Sequence, residues 1–353
     1  PFRCFSGYCG MITREERAHA YQRKKKQLTL FNLFFTPFLL ALLLFTRWTF
    51  AMSDLAMQWG GDQAWKVVAV YFSLFSLYFM IFDLPVAFYS GFILEHQFEL
   101  SNQSLRQWVV DFLKRSGLSF FLSLILLEIL YWIIRLDPDR WWVWAWAVYA
   151  GVSYVLGKIF PVFIVPLFYK YGRLEDKILE DRILKLAARF GLPVQNVYSL
   201  DLSKTTKKAN AAFMGIGKTK RVVLSDTLIS NFTHDEIEMV LAHELGHFKN
   251  HDVWRLLGFG LTVSFVAFAV GFWGMKNWAV ALGLGNASEV AGLPLLLLLF
   301  FLVNLVLMPL QNGYSRRRER AADLFALQAV RNKDIFISCM KKLGDQNLAD
   351  PEP

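Results

Sequence analysis

Residues 243–275 read HELGHFKNHDVWRLLGFGLTVSFVAFAVGFWGM, a polar, histidine-containing segment that runs directly into a long apolar one. Its first five residues place His243 and His247 four positions apart, with Glu244 next to the first. Side chains four apart lie above one another on a helix, so the two imidazoles can bind one Zn²⁺ while the carboxylate reaches a water on the metal. The part from residue 256 to 275 is long and apolar enough to cross a membrane. The stretch predicts a hydrolytic metal site beside a bilayer.

Five more segments have the composition of membrane-spanning helices, which need about 20 largely apolar residues. All six predicted spans are 28–50, 66–90, 118–134, 141–169, 256–275 and 293–310. Since 55% of the 353 residues are hydrophobic, the chain carries more apolar surface than a soluble domain can bury. We therefore expect a mostly α, polytopic membrane protein.

The distribution of basic residues predicts the orientation of these spans. Arg14, Arg17 and the run 23–26 precede the first span, and the positive-inside rule assigns such a segment to the cytoplasm. Counting spans from there puts 170–255 and 311–353, both rich in Lys and Arg, on the cytoplasmic side as well. The net charge of +9 is then explained by membrane topology, and we expect no nucleic-acid partner.

The spans divide the chain into five predicted segments. They are an N-terminal basic segment 1–27, membrane helices at 28–169, a cytoplasmic metalloprotease domain with the zinc helix at 170–255, two membrane helices at 256–310, and a C-terminal segment 311–353. Within the cytoplasmic domain, short segments at 196–202, 209–214 and 221–224, punctuated by glycines at 215–218, predict a small antiparallel β meander. Thr233–Glu236 then has the form of a capping box that opens the zinc helix.

A catalytic zinc takes three protein ligands and keeps one position open, so a third ligand must come from elsewhere. Glu319 and Asp323 lie four apart in a helical segment on the same side of the membrane. We assign Glu319 as the third ligand to one zinc per chain, and Asp323 as the acceptor for the free N–H of a ligating histidine. His251, one turn beyond His247, is expected to be a neighbouring hydrogen-bonding group.

Glu244 is the predicted catalytic residue. It directly follows a ligand, so it can stay off the metal and still act as the general base toward the water. Zinc lowers the pKa of that water to roughly 7 and polarises the scissile carbonyl. Gly246, with Ala242, is expected to leave room around the metal. Hydrolysis of this kind needs no covalent enzyme intermediate.

Four segments together resemble the type I CAAX prenyl endopeptidases, which are integral-membrane, gluzincin-type zinc metalloproteases. They are His243–His247 with His251, Asn210–Gly215, Arg221–Leu228, and Ser315-Arg316 followed by Glu319 and Asp323. The resemblance covers residues 70–345. It implies an enzyme that removes a C-terminal tripeptide from prenylated proteins.

The resemblance also implies a fold and a substrate site. The fold is a ring of long helices, a membrane helical barrel, around a large water-filled chamber into which the zinc helix projects. The substrate site is an exposed edge strand at Asn210–Met214, to which an extended peptide adds as a further strand. Asn210, Ala211, Ala212 and Phe213 are the implied substrate-binding residues.

Two features of the resembling family do not occur in this sequence. One is a further N-terminal span, and the other is a C-terminal His-Pro-Pro stretch followed by an arginine that contacts the substrate and the developing oxyanion. The sequence begins at Pro1 and ends at Asp350–Pro353. We expect either a portion trimmed at both ends or an oxyanion stabilised by other groups, with a rate lower by about 10²–10³ if one donor is lost.

Three functions are compatible with the residues alone. The leading one is a zinc endopeptidase that cleaves near the C-terminus of a prenylated or otherwise membrane-associated peptide. The others are a heat-shock type membrane protease for misfolded membrane proteins, and a non-catalytic scaffold or transporter. Expected partners are a peptide substrate and membrane lipids, with no obligate protein partner. The sequence does not distinguish a bacterial inner membrane from the endoplasmic reticulum.

Overall fold

The computed structural model describes residues 13–192, 194, 196–214 and 221–349. Residues 215–218, where the sequence predicts a turn between strands, and the C-terminal 350–353 lie outside this range. The helices are α1 Arg14–Phe45, α2 Trp48–Gly60, α3 Ala64–Phe88, α4 Leu94–Gln97, α5 Leu105–Leu136, α6 Trp141–Ile159, α7 Lys177–Arg189, α8 Asp226–Asn231, α9 His234–Lys249, α10 Asp252–Gly274, α11 Leu293–Val330 and α12 Lys333–Asn347. The strands are β1 Tyr171–Arg173, β2 Asn196–Leu200, β3 Ala211–Met214 and β4 Arg221–Ser225.

Six helical stretches within the described residues are long and apolar enough to cross a membrane, as predicted. They cover 14–45, 64–97, 105–136, 141–167, 252–279 and 290–330. The chain is a multi-pass membrane protein. Several bounds differ from the prediction because hydropathy detects only the apolar part of a helix, whereas caps decide its ends. Ser104, in a capping box with Gln107, starts α5 well before the predicted 118, and the basic run at 23–26 lies inside α1.

A short helix, α2, occupies most of the loop predicted at 51–65. Arg47, with φ at 60°, lies between α1 and α2 at the N-cap of α2 and allows the chain to turn back. The hydroxyl of the fully buried Thr49 lies 2.7 Å from the Tyr71 hydroxyl and donates to the Ala291 carbonyl at 2.8 Å. This helix therefore joins α1, α3 and the start of α11 at one end of the membrane region.

Each span contacts the next around a ring, in the order α1, α3, α5, α6, α10, α11 and back to α1. The Tyr78 hydroxyl of α3 donates to the Leu39 carbonyl of α1 at 3.2 Å, and the Trp146 indole of α6 donates to the Leu261 carbonyl of α10 at 3.0 Å. In the most apolar 18 residues of each span, between 0% and 44% of the residues are buried, so each helix exposes more than one side. Such exposure is typical of a ring around a space, and it confirms the predicted helical barrel.

The small sheet has the strand order β1-β2-β4-β3. The predicted antiparallel meander is wrong in this respect, because β2 and β4 pair in parallel while the other two pairs are antiparallel. After β2 the chain first forms β3, at the far edge of the sheet, and then returns to place β4 between β2 and β3. Local sequence patterns carry no information about this order of strands in the sheet. With three residues, β1 is also too short for a periodic signal. β3 lies at one edge of the sheet, as the resemblance implies.

Helix α11 links the membrane region to the sheet domain. Leu293–Leu299 contributes to the apolar core among the spans, whereas Ala326 and Ala329 belong to a second core with the sheet, α7, α9 and α12. The boundary predicted at residue 310 therefore falls inside one unbroken helix, and the five-segment division remains a prediction. The consequence for the site is that the C-terminal half of α11 is held rigidly against the zinc helix.

Candidate metal centre

Helix α9 presents the two histidines. Its start is a capping box, in which the Thr233 hydroxyl accepts from the Glu236 N–H and the Glu236 carboxylate accepts from the Thr233 N–H. One helical turn separates His243 from His247, and their Nε2 atoms lie 3.2 Å apart. Two imidazole nitrogens at this separation can bind one ion.

Glu319 approaches the pair from α11. Its Oε2 lies 3.5 Å from Nε2 of His243 and 3.5 Å from Nε2 of His247. A tetrahedral Zn²⁺ at about 2.1 Å from each ligand separates its ligand atoms by roughly 3.4 Å. The triangle of two nitrogens and one oxygen therefore fits a zinc ion. Glu319 is 55% exposed, whereas the histidines are 18% and 22% exposed, so the centre is open on the glutamate side.

Carboxylates hold the second nitrogen of each histidine. His243 Nδ1 lies 2.9 Å from Asp323 Oδ1, and His247 Nδ1 lies 2.9 Å from Asp252 Oδ2. When each Nδ1–H donates to its carboxylate, the lone pair of each Nε2 faces the common point with Glu319. Asp323 lies where helical spacing predicts it. Asp252 was not predicted.

Asp252 is almost fully buried, and its Oδ1 accepts a hydrogen bond from Arg318 Nε at 2.5 Å. The guanidinium keeps the buried carboxylate paired on the side away from the histidine. In sequence, Asp252 follows His247 by five positions, which is not a helical neighbour, and Arg318 stands within a basic run at the end of a span. Neither sequence position indicates that the residue helps to orient a histidine of the candidate metal centre.

The structure places His251 beyond the end of the zinc helix, and its role as a neighbouring hydrogen-bonding group stays a prediction. Helix α9 ends at Lys249, and His251 has φ at 54° at the corner that starts α10. His251 is exposed at this corner and does not continue the histidine face by another turn. The corner instead brings Asp252 back toward the site. Within the described range, the group able to bind an ion consists of His243, His247 and Glu319.

Gly246 also differs from its predicted role of leaving room around the metal. A Cβ at this position would lie 3.0 Å from the Ala322 Cα, 3.2 Å from its carbonyl oxygen and 3.2 Å from the Phe325 Cβ. Gly246 therefore faces α11 and permits the close approach of α9 and α11. That approach brings Glu319 within reach of the histidines.

Glu244 lies next to the ligand group. Burial raises the pKa of its carboxyl, and although charge on His243 and His247 lowers it, Glu319 raises it again, leaving the pKa above its ordinary value. A carboxylate with a raised pKa is a stronger base and binds a proton more readily near neutral pH. The arrangement places a proton acceptor beside three candidate metal ligands.

The edge strand β3 packs near α9 and pairs with β4. Asn210, just before β3, uses its backbone for pairing, since its N–H donates to Ser225 Oγ at 2.9 Å and its carbonyl accepts from the Ser225 N–H at 2.9 Å. The Asn210 side chain is exposed. Ala211 is buried, whereas Ala212 and Phe213 are partly exposed. A ligand on this edge would meet backbone groups and the Asn210 amide.

Comparisons with known proteins match both halves of the chain. Residues 10–170 match the family described as CAAX prenyl protease N-terminal, five membrane helices, and residues 173–350 match peptidase family M48. The uncharacterized metalloprotease YhfN of Bacillus subtilis is 31% identical over 74% of this chain and 63% of its own length. The CAAX prenyl protease 1 homolog of Caenorhabditis elegans is 30% identical over 80% of this chain and 71% of its length.

The crystal structure of S. mikatae Ste24p is similar over nearly the whole chain. The TM-score is 0.81 at 26% sequence identity, covering 98% of this chain and 85% of that one. The chain spans 63% of the Bacillus relative and 59% of the probable CAAX prenyl protease 1 of Schizosaccharomyces pombe. The similarity includes the membrane helices as well as the domain with the candidate metal centre.

Proposed function

Because the chain belongs to peptidase family M48, we propose that it is a membrane-embedded zinc endopeptidase that cleaves near the C-terminus of membrane-associated peptides, as a CAAX prenyl protease does. The observation that carries this proposal is the triangle formed by the two histidine Nε2 atoms and Glu319 Oε2. Family M48 implies a metal, and these three atoms fit one zinc ion per chain. A zinc ion bound here would lower the pKa of its water and polarise the scissile carbonyl.

The surrounding residues have roles that follow from their contacts. Asp323 and Asp252 keep the imidazoles in the tautomer whose Nε2 is free to bind an ion. The Glu244 carboxylate accepts a proton from the attacking water and then delivers it to the leaving amide nitrogen, which is general acid and base catalysis by one group. Burial of Glu244 supports this role because it strengthens the base.

The peptide binds as an added strand along β3. An edge strand offers unpaired N–H and C=O groups, and an extended peptide satisfies them with its own backbone. The exposed amide of Asn210 holds the peptide backbone at one end, and the backbone of Ala211, Ala212 and Phe213 continues the pairing. A prenyl group, or another apolar tail, lies within the ring of membrane helices. Similarity to proteins known as CAAX prenyl proteases supports this substrate class.

The metal centre faces the cytoplasm in this proposal. The support is the basic run at 14–26, which lies at the start of α1, together with the Lys-rich and Arg-rich sheet domain. Basic residues beside a span favour the cytoplasmic side. A substrate whose C-terminus is exposed on that side would share a compartment with the site.

The central experiment compares Glu244→Gln with the parent. We expect the variant to retain about one zinc per chain by elemental analysis and to lose hydrolysis of a farnesylated peptide by at least about 10³-fold, since only the base is removed. Glu319→Ala, in contrast, should lose both the zinc and the hydrolysis. Cleavage by Glu244→Gln at the parental rate would reject the mechanism.

A second experiment addresses the substrate. Mass-spectrometric mapping of products from matched farnesylated and unmodified peptides should give one cleavage near the C-terminus and a preference for the farnesylated peptide. Broad cleavage at many sites without a lipid preference would instead support the heat-shock type of protease. Zinc-free protein without hydrolysis of either peptide would support the scaffold or transporter.

A further inference from the structure

A cavity of about 570 Å³ lies where α5, the end of the α6 span and the sheet domain meet. Its walls come from the first turns of α5, from residues 166–170 at the end of the α6 span and just after it, and from residues 204–205 before β3. It shares no residue with the metal centre. Because residues of the sheet domain form one wall, the cavity lies at the membrane face that carries the metal centre.

The cavity is strongly cationic. Arg106, Lys114, Lys170 and Lys204 line it together with one carboxylate, Asp111. Asp111 already accepts a hydrogen bond from Gln103 Nε2 at 2.7 Å. Four cations against Asp111 and against Asp201, which lies 3.6 Å from Lys204, leave a net charge of +2 in a concave site, where positive potential is concentrated.

Two of the cations contact backbone carbonyls beside the cavity. Lys204 donates to the Phe168 carbonyl, with its ammonium 5.0 Å from the centre of the Tyr169 ring. Lys114 Nζ lies 3.5 Å from the Leu167 carbonyl oxygen. The carbonyls carry no net charge, so Lys114 retains its full capacity to bind an anion. Asp201 Oδ2 lies 3.6 Å from Lys204 Nζ and offsets part of the charge there.

The surface next to the cavity is apolar and exposed. Val110 and Leu167, which line the cavity, are 42% and 55% exposed, and Leu113 and Phe163 beside them on the spans are 56% and 66% exposed. These side chains belong to helices that are long and apolar enough to cross a membrane, so we expect them to face lipid. A ligand complementary to the whole feature has an anionic head and apolar tails.

We propose that this cavity binds the phosphate headgroup of an anionic phospholipid, with its acyl chains along the exposed faces of α5 and α6. The headgroup phosphate pairs with Arg106, Lys114 and Lys170, and Lys204 closes the site from the sheet domain. Each cation near an anionic membrane surface adds to binding. The site is independent of peptide hydrolysis and of the zinc.

The test is native mass spectrometry of the purified full chain in detergent, titrated with phosphatidylglycerol or phosphatidylcholine. The combined variant Arg106→Gln, Lys114→Gln and Lys170→Gln should weaken phosphatidylglycerol binding by roughly ten-fold or more, while phosphatidylcholine binding stays unchanged. Lys204 is left intact because its carbonyl contact supports the local fold. Circular dichroism melting checks that the variant is folded.

A matched control removes three exposed cations elsewhere on the sheet domain and α12, with Lys177→Gln, Lys185→Gln and Lys341→Gln. The control should bind phosphatidylglycerol like the parent. Equal loss in control and test variants would overturn the proposal, because overall charge would then explain binding. Parental binding by the test variant would overturn it too, and so would displacement of the lipid by millimolar inorganic phosphate, since the ligand would then be a free anion.

Discussion

Asp252, in the first turn of a membrane-spanning helix, accepts the Nδ1–H of His247 from the end of the zinc helix at 2.9 Å. The two residues are on different helices, joined by the corner at His251. The orientation of His247, a proposed metal ligand, therefore depends on the angle between α9 and the membrane helix α10. Arg318, from α11, pairs with the same carboxylate, so three helices meet behind the metal centre.

We predict that Asp252→Asn weakens zinc binding by about 10- to 100-fold, as expected when the partner of a ligating histidine loses its charge. The change also leaves the Arg318 guanidinium without its ionic partner. Zinc affinity can be measured by competition with a chromophoric chelator. Asp181→Asn, which alters an exposed pair with Lys185, is the control. Equal zinc affinity in parent and Asp252→Asn would contradict this role.

Gly246→Ala should weaken zinc binding although no ligand changes. The added methyl would meet the backbone of Ala322 at 3.0 Å, which forces α9 and α11 apart by a few tenths of an ångström and costs about 1–3 kcal/mol as overpacking. A chelator titration and a melting curve report both effects. Gly313→Ala on α11 is the control, since a Cβ there meets nothing within 4 Å. If both variants behave alike, close helix approach does not control the site.

Asn347→Ala should impair peptide binding without loss of zinc. The Asn347 side chain accepts from the Ala209 N–H at 3.0 Å, just before the edge strand, so the end of α12 positions the start of β3. We expect KM for a peptide substrate to rise about three- to ten-fold with a smaller change in kcat, because losing one hydrogen bond costs about 1 kcal/mol. Lys341→Ala, exposed on the same helix, should leave KM unchanged. A fall in kcat alone would argue against a positioning role.

Glu236 should make stability depend on pH. Burial opposes its ionisation, but hydrogen bonds from Lys342, the Thr233 N–H and Ser338 outweigh burial, so the pKa of Glu236 is lowered from its ordinary value of 4.5. A lowered folded-state pKa means that the ionised carboxylate stabilises the fold above about pH 4.5, and that this contribution is lost as pH falls through the lower, folded-state value.

The corresponding variant is Glu236→Gln. At pH 7 it should be less stable than the parent by about 1–3 kcal/mol, since Lys342 loses a buried ionic partner. The difference should shrink as the pH falls below 4.5. Melting curves across this range provide the measurement, with the exposed Glu175→Gln as control. A difference that stays constant with pH would exclude the ionised carboxylate as its source.

Local patterns predicted much of the fold. The six spans follow from runs of apolar residues, and the zinc helix follows from its capping box and histidine spacing, because these signals depend only on neighbours in sequence. The sheet was predicted less well. Its strands were found near their observed positions, but their pairing order depends on how β3 and β4 pack against α7 and α9, which no local pattern contains.

For the site, the sequence by itself determined His243, Glu244 and His247 on one helix, and Glu319 and Asp323 four apart on another. Helical geometry fixes such spacings wherever the helices lie. Only the tertiary structure decided that the two helices meet at Gly246, that a corner turns Asp252 toward His247 and moves His251 away, and that cations from residues 106 to 204 surround one cavity. These relationships join residues distant in sequence, and they arise from side-chain packing and burial across the whole chain.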